Sequence, residues 1–280
     1  MLSKPSFLTR ITLKHIQRVV SQGVKYIEFY WNWTGLKHFM SYDEARQAIN
    51  EGIRQGLQRY GVVARSIPSI DREDTPEAAV ELVEEMIRHP DQYTIGIGID
   101  YRETNHEPEN FWKAFKMAKD AGFKITIHAG EFGEHWRNVE TAMKLLGADR
   151  IDHGYTIIDS PELVEEAKAA NMHFAVVPTN SYYLRTLSDE EWAIKHPVRK
   201  MVELGLKVFP NSDDPTMHHI SISESWLLMH NWLDFTLPQL RKMLENSIEA
   251  AWVSDEQKAA WKKEWLEEFD RLAAELPPVN

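Results

Sequence analysis

The sequence contains no cysteine among its 280 residues. This absence excludes disulfide bonds, cysteine nucleophiles and zinc sites built from thiolates. Any metal ion that the protein binds must therefore be held by histidine and carboxylate side chains, of which the sequence supplies 12 His and 43 Asp plus Glu.

Two further absences concern membranes and nucleic acids. The sequence has no apolar run of bilayer-spanning length and no charged-then-apolar leader, so we expect a cytoplasmic protein that makes no membrane contact. The 32 Lys plus Arg are outnumbered by the 43 Asp plus Glu, which gives a formal net charge of -11, and they form no basic stripe. Binding to nucleic acid through phosphate contacts is therefore not expected.

What the sequence does contain is an alternation of short β-rich runs with amphipathic helical stretches. Several helices have readable ends: Thr75 and Ser160 are N-cap candidates directly before Pro76 and Pro161, and Gly122 follows a helical stretch. Strand, helix and strand repeated in this way predict a parallel sheet. The β-runs are residues 24–31, 62–70, 93–99, 123–127, 150–152, 173–177 and 207–210.

The length and this rhythm fit one α/β barrel, which typically has about 250 residues, although two smaller domains would reach the same length. We expect a single (β/α)8 TIM-type barrel domain over residues 1–280, with seven strands readable and extra helices at its C-terminal end. Because a closed barrel of this type has eight strands, the first strand is expected to precede residue 1.

Polar side chains follow three of the predicted strands. His128 and Glu131 follow the fourth run, His153 follows the fifth, and Asp213 and Asp214 follow the last. Taken singly, a histidine after a strand or aspartates before a proline commonly have only a structural role. The C-terminal ends of barrel strands, however, meet at the face that carries the catalytic side chains. We therefore expect all five residues on one face.

The chemistry of these side chains suits a metal-dependent hydrolase. A neutral imidazole and an aspartate are good ligands for a divalent ion such as zinc, which lowers the pKa of a bound water toward about 7. Glu131 lies three residues beyond His128, close enough to face the ion without being a ligand. Such a carboxyl group can act as a general acid.

Five short motifs occur in a specific order along the chain: IHAGE (127–131), RIDHGY (150–155), PTNS (178–181), NSDDP (211–215) and LENSIEAAW (244–252). In this order and at these strand ends they resemble the adenosine deaminase family of zinc hydrolases, within the wider group of amidohydrolase barrels. PTNS is similar to the Pro-Thr-Ser-Asn of that family. The resemblance covers residues 127–252 most specifically.

The resemblance implies one zinc ion, a small purine substrate and a role for each of the five residues. His128 would be a zinc ligand, and Asp213 would complete the metal site and contact the attacking water. Glu131 would protonate the purine ring nitrogen N1 as water attacks C6, and His153 would orient the water and take up its proton. Asp214 would hydrogen-bond the ring at N7. The products would be the 6-oxopurine and ammonia, formed without the cysteine-ligated zinc of other base deaminases.

Two departures from the family pattern keep alternatives open. The family has a His-x-His pair on its first strand as two further zinc ligands, and no such pair occurs in the 280 residues. The run 93–99 is followed by Asp100 and Tyr101 where the family has an Asp-Leu-Ala-Gly-like segment whose glycine contacts the substrate. The resemblance therefore implies the class of 6-aminopurines, adenosine or adenine, rather than adenosine in particular. The alternatives are an amidohydrolase that deaminates another amino-heterocycle, and a non-catalytic barrel that binds a purine or acts as a regulator.

Overall fold

The structure, a computed structural model, describes residues 3–276 apart from the side chain of Ser181. The described strands are β1 (Tyr26–Trp31), β2 (Val63–Asp71), β3 (Gly96–Asp100), β4 (Lys124–Ala129), β5 (Arg150–His153), β6 (His173–Val176) and β7 (Lys207–Pro210). The described α-helices are α1 (Pro5–Val20), α2 (Tyr42–Tyr60), α3 (Pro76–Arg88), α4 (Trp112–Asp120), α5 (Arg137–Lys144), α6 (Pro161–Ala169), α7 (Ser181–Thr186), α8 (Asp189–Lys195), α9 (Pro197–Glu203), α10 (Ile222–Asn231), α11 (Leu237–Ala250) and α12 (Asp255–Ala274). Two 3-10 helices, Pro108–Phe111 and Tyr155–Asp159, complete the secondary structure. All seven predicted strands are confirmed.

The predicted helix ends are confirmed by their capping hydrogen bonds. Oγ1 of Thr75 accepts a hydrogen bond from the backbone N–H of Ala78 at 3.2 Å, and Oγ of Ser160 accepts one from Leu163 at 3.3 Å. Each satisfies a backbone N–H that has no partner within its own helix. Gly122, two residues after α4 ends, has a φ of +88°, which glycine adopts without steric cost.

One strand boundary differs from its prediction by three residues. β3 begins at Gly96 rather than at Tyr93, because the preceding backbone is engaged in a turn. Oδ1 of Asp91 accepts hydrogen bonds from the backbone N–H groups of Tyr93 at 2.6 Å and Thr94 at 2.9 Å. These amides are therefore not available to a β-ladder.

The chain divides into two compact units, Met1–Thr156 and Ile157–Asn280. In the first unit, β1 to β5 form a parallel sheet in chain order. The sheet is buried on both faces, as a parallel sheet requires. Ile97, Ile99, Ile125, Ile127 and Ile151 on one face have no exposed surface, and Thr126 on the other face has none either. Because all five strands run in the same direction, their C-terminal ends share one edge.

Helices α1 and α2 pack closely in the first unit where α2 presents a glycine. A Cβ atom at Gly52 would lie 2.6 Å from Cβ of Thr12 and 2.9 Å from the backbone oxygen of Thr9. These distances are too short for any side chain. The absence of a side chain at Gly52 therefore sets how closely the two helices approach.

We expect Gly52→Ala to destabilise the protein by about 1–2 kcal/mol, because overpacking a tight contact costs more than the gain in helix propensity. The midpoint of urea-induced unfolding measures this change. Gln58→Ala, at an exposed position of the same helix, is the control and should leave stability nearly unchanged. A more stable Gly52→Ala protein would show that the two helices can move apart freely.

In the second unit, β6 and β7 pair in parallel from His173 opposite Lys207 to Val176 opposite Pro210. Helix α11 packs against β7, and Nδ2 of Asn246 donates a hydrogen bond to the backbone oxygen of Val208 at 3.0 Å. An apolar cluster of Ala175, Phe209 and Ala250 joins the two strands to the helix. The motif LENSIEAAW, which contains Asn246, thus anchors a helix to the last strand.

Glu249 on α11 lies among three basic groups of the second unit. Its carboxylate forms ion pairs with Lys207 and with Lys262, the latter at 2.6 Å, and it lies 3.4 Å from Nε2 of His173. Partial burial by itself raises the pKa of Glu249, but the hydrogen bonds from Lys207 and Lys262 outweigh it and lower the pKa to about 2. The folded state therefore favours the ionised carboxylate.

We expect this carboxylate to make stability pH-dependent. Its pKa is lower in the folded state than in an unfolded chain, where it is about 4.3. The stabilisation is therefore complete above that value and is lost as the pH falls toward about 2. Glu249→Gln should cost about 1 kcal/mol at neutral pH, and the difference from wild type should shrink on acidification. Thermal unfolding between about pH 7 and pH 3 tests this, with the exposed Glu203→Gln as control. A difference that does not change with pH would contradict it.

Within residues 3–276, none of the helices combines the length and apolarity needed to cross a bilayer.

Candidate active site

The pairing of β4 with β5 brings two predicted site residues together in the first unit. In the register of these strands His128 lies opposite Asp152, and Ala129 lies opposite His153. The rings of His128 and His153 are 4.7 Å apart between centroids, with an interplanar angle of 67°. His153 has a φ of +67°, a left-handed conformation that is uncommon outside glycine.

Glu131 contacts His153 from the turn after β4. Its Oε2 lies 3.5 Å from Nε2 of His153, and both side chains are buried. On the other side of the His153 ring, Nδ1 is 3.3 Å from the hydroxyl of Tyr155. The imidazole is therefore held between a carboxyl group and a phenol, an arrangement that suits proton transfer.

His128 has a buried carboxylate behind its ring. Nδ1 of His128 lies 3.4 Å from Oδ2 of Asp152. The same oxygen accepts hydrogen bonds from Oγ1 of Thr126 at 2.6 Å and from the hydroxyl of Tyr30. Burial by itself raises the pKa of Asp152, but the His128 ring, the charge of Arg150 and the Thr126 hydroxyl outweigh it and hold that pKa well below its usual value. The Asp152 side chain, which faces Nδ1 of His128, is therefore an ionised carboxylate.

This arrangement fits a metal-binding histidine. Ligating histidines typically face a carboxylate with one ring nitrogen, which fixes the orientation of the ring and leaves the other nitrogen for the ion. The orientation of His128 against Asp152 leaves Nε2 for this role. With the neighbouring His153 and Glu131, the first unit offers imidazole and carboxylate donors, the set that zinc accepts in the absence of cysteine.

Three further charged residues lie near the turn after β4 and were not predicted from the sequence. Asp100 ends β3, as His128 lies at the end of β4, and Nδ2 of Asn32 donates to its Oδ1 at 2.8 Å. Burial raises the pKa of Asp100 to about 6, against the opposing influence of His128 and Asn32. Arg72 and Glu103 are fully or almost fully buried. Only the position of Asp100 at the end of a β-run was a usable signal in the sequence.

The remaining two predicted residues belong to the second unit. Asp213 and Asp214 follow the C-terminal end of β7; Asp213 is partly buried and Asp214 is exposed. Asp213 has a φ of +55°, a second left-handed non-glycine residue among the predicted site residues. The backbone oxygen of Asp214 accepts hydrogen bonds from Met217 at 3.0 Å and His218 at 2.9 Å, which fixes the turn after the strand. The structure thus gathers His128, Glu131 and His153 in the first unit and places the two aspartates at the end of β7.

Comparison with known proteins identifies the family. The family model described as adenosine deaminase matches residues 1–267. The chain belongs to the adenosine deaminase family. It is an amidohydrolase-type deaminase, as the motifs predicted.

Relatives and solved structures of this family cover most of the chain. An adenine deaminase of Rhodospirillum rubrum is 31% identical over 253 residues, which are 89% of this chain and 73% of that protein. An adenosine deaminase of Clostridium botulinum is 28% identical over 258 residues, 91% of this chain and 75% of that protein. A crystal structure of an amidohydrolase from Burkholderia ambifaria with bound zinc is 48% identical and covers 98% of this chain and 76% of its own, with a TM-score of 0.96.

The structural similarity confirms the predicted fold class. The crystal structure of an adenine deaminase from Arthrobacter aurescens, 24% identical, covers 96% of this chain and 80% of its own with a TM-score of 0.88. The deaminase therefore has the α/β fold of the TIM-type barrels, as its alternation of strands and helices predicted.

Proposed function

We propose that this deaminase catalyses the zinc-dependent hydrolytic deamination of a 6-aminopurine, adenine or adenosine, to the 6-oxopurine and ammonia. The observation that carries the proposal is the cluster of His128, Glu131 and His153 at the ends of β4 and β5, in which Glu131 and His153 are buried. Its members have the chemistry that the reaction needs: an imidazole ligand, a carboxylic acid and an imidazole base.

We assign zinc to His128 and Asp213. The orientation of His128 against the carboxylate of Asp152 supports the first ligand, and the 48% identical amidohydrolase from Burkholderia ambifaria has bound zinc. When bound, the ion would act as a Lewis acid and lower the pKa of a water molecule toward about 7. The His-x-His pair that supplies two further ligands in the family does not occur among the 280 residues, so the zinc content of the purified protein tests whether the residues present hold the ion.

The protein side chains would move two protons and orient the ring. His153, positioned by Tyr155, accepts the proton of the attacking water as the bond from oxygen to C6 forms. Glu131 donates a proton to N1, so that the ring can accept the electron pair. The bond from C6 to the amino nitrogen then breaks, and ammonia leaves with the proton taken up by His153. The new C6 hydroxyl gives its proton back to Glu131 as the 6-oxo group forms, so both side chains regain their starting protonation states. Asp214 would hold the ring by a hydrogen bond at N7.

Adenine and adenosine are both candidate substrates. Relatives named adenine deaminases include those of Marinomonas, 29% identical over 88% of this chain, and of Rhodospirillum rubrum. The adenosine deaminase of Clostridium botulinum is similar at nearly the same level, 28%. Both purines therefore belong in the same assay.

The test is ammonia release from adenine, adenosine and cytosine by the purified protein, with zinc measured in the same sample by elemental analysis. We expect ammonia from at least one purine, loss of activity on chelation and recovery on addition of zinc. Release from cytosine alone would favour an amidohydrolase for another amino-heterocycle. Purine binding by the zinc-loaded protein without ammonia release would favour a non-catalytic purine-binding protein.

A further inference from the structure

A buried carboxylate accepts hydrogen bonds from the backbone of the turn that carries Glu131. Glu103, in the segment between β3 and α4, is only 2% exposed. Its Oε1 accepts hydrogen bonds from the backbone N–H of Gly130 and from Nδ2 of Asn138, both at 2.8 Å, and its Oε2 accepts one from the backbone N–H of Glu131 at 2.9 Å. Three donors thus converge on one carboxylate, and two of them are consecutive amides of the turn.

The turn itself depends on glycine. Gly130 has a φ of +66°, and a Cβ atom at this position would lie 2.5 Å from Oγ1 of Thr156 and 2.9 Å from Cγ2 of Val139. A side chain at residue 130 would therefore strain the backbone and would also lie too close to Thr156 and Val139. The two hydrogen bonds to Glu103 hold the backbone amides on either side of this positive-φ position.

A buried cation holds the other side of the same turn. Arg72 follows β2 directly and has no exposed surface, and its Nη2 donates a hydrogen bond to the backbone oxygen of His128. Burial by itself lowers the pKa of Arg72, and the charges of Glu103, Glu131 and Asp100 oppose this effect. Arg72 therefore holds the backbone carbonyl of His128, and Glu103 holds the backbone amides of Gly130 and Glu131. The two side chains have opposite charges.

We propose that Glu103 is a positioning residue for the general acid. By binding the amides of Gly130 and Glu131 it sets the direction in which the Glu131 side chain leaves the backbone, toward His153. Arg72 is a buried cation whose charge interacts with Glu103, and it holds the preceding carbonyl group. The inference rests on the proposed role of Glu131 as the acid that protonates N1.

Glu103→Gln tests the proposal with little change in shape. The amide has one acceptor oxygen, and its NH2 group must face one of the donors, so at least one hydrogen bond to the turn is replaced by a donor–donor contact. We expect kcat to fall about 10-fold, since small misplacements of a catalytic group have effects of this size or larger. KM and zinc content should remain within about twofold of wild type, because neither substrate nor metal contacts Glu103 in this proposal.

Asp91→Asn is the matched control. Asp91 likewise accepts hydrogen bonds from two backbone N–H groups, those of Tyr93 and Thr94, and pairs with Arg46 at 2.9 Å. It precedes β3, whereas Glu103 follows that strand. The control should lose stability and keep its kcat, whereas an equal loss of kcat in both variants would overturn the proposal.

A double-mutant cycle separates positioning from a general structural role. If Glu103 acts through Glu131, Glu103→Gln should lower kcat only slightly in protein that already carries Glu131→Gln. The reason is that the effects of substitutions at interacting residues do not add. Independent, multiplicative losses would overturn the proposal. If Glu131→Gln alone leaves kcat unchanged, the proposed function fails; if it lowers kcat and Glu103→Gln does not, only the present inference fails.

A second variant covers the case in which Glu103→Gln does not fold. Glu103→Asp keeps the charge that compensates Arg72 but shortens the side chain by one methylene group, so it cannot reach all three donors. We expect faster amide hydrogen exchange at residues 130 and 131, together with the same pattern of reduced kcat and unchanged KM. Unchanged exchange at both amides would overturn the proposal.

Discussion

Glu131→Gln is expected to lower kcat by roughly 10²-fold or more, the scale of general acid catalysis, while zinc content stays close to that of wild type. Glutamine has nearly the shape of glutamate and fits the same buried site next to His153, but its amide cannot deliver an acidic proton to N1. Ammonia release gives kcat, and elemental analysis of the same sample gives zinc per chain.

The control for this substitution is Glu134→Gln, which makes the same chemical change three residues further along the same loop at a partly exposed position. It should leave both kcat and zinc content unchanged. Loss of zinc from Glu131→Gln would show instead that Glu131 is a metal ligand. An unchanged kcat would remove Glu131 from the reaction.

His128→Ala should lose zinc and, with it, activity. Substitutions of the carboxylate behind a ligating histidine typically cost about 10–100-fold in metal affinity, and removal of the ligand itself should cost more. We therefore expect a loss above about 10²-fold for His128→Ala and a smaller loss for Asp152→Asn. Competition with a chromophoric zinc chelator measures both affinities.

The fold of this variant must be checked, because the His128 ring packs against Tyr30 at 5.3 Å and against His153 at 4.7 Å between centroids. Thermal unfolding in the presence of a chelator compares the metal-free proteins directly. His135→Ala, at an exposed position of the same loop, should keep its zinc. If His128→Ala kept zinc while Glu131→Gln lost it, the roles of the two residues would be reversed.

The helix ends and strands were predictable because their signals are local. Thr75 and Ser160 cap helices through hydrogen bonds to N–H groups three residues away, so spacing along the chain contains the necessary information. The start of β3 was predicted three residues early, since the apolar pattern gave no weight to Asp91. A side chain that binds the next amides of the backbone competes with a β-ladder.

The predicted site residues share a different property: each directly follows a predicted strand or lies in the turn after it. In parallel sheets such positions meet at one edge whatever the detailed packing, and this is why His128, Glu131 and His153 could be named together. By contrast, Glu103 occurs in the polar sequence YRETNHEPEN, where nothing distinguishes a buried carboxylate from a solvated one.

The sequence by itself determined the family motifs, the seven strands and, through the absence of cysteine, the histidine and carboxylate chemistry of any metal site. Only the tertiary structure decided which charges surround these motifs. Glu103 binds an amide 28 residues away, Arg72 a carbonyl 56 residues away, and Tyr30 a carboxylate 122 residues away. The physical reason is that a buried charge is stable only beside the partners that replace its water, and parallel strands supply those partners from distant parts of the chain.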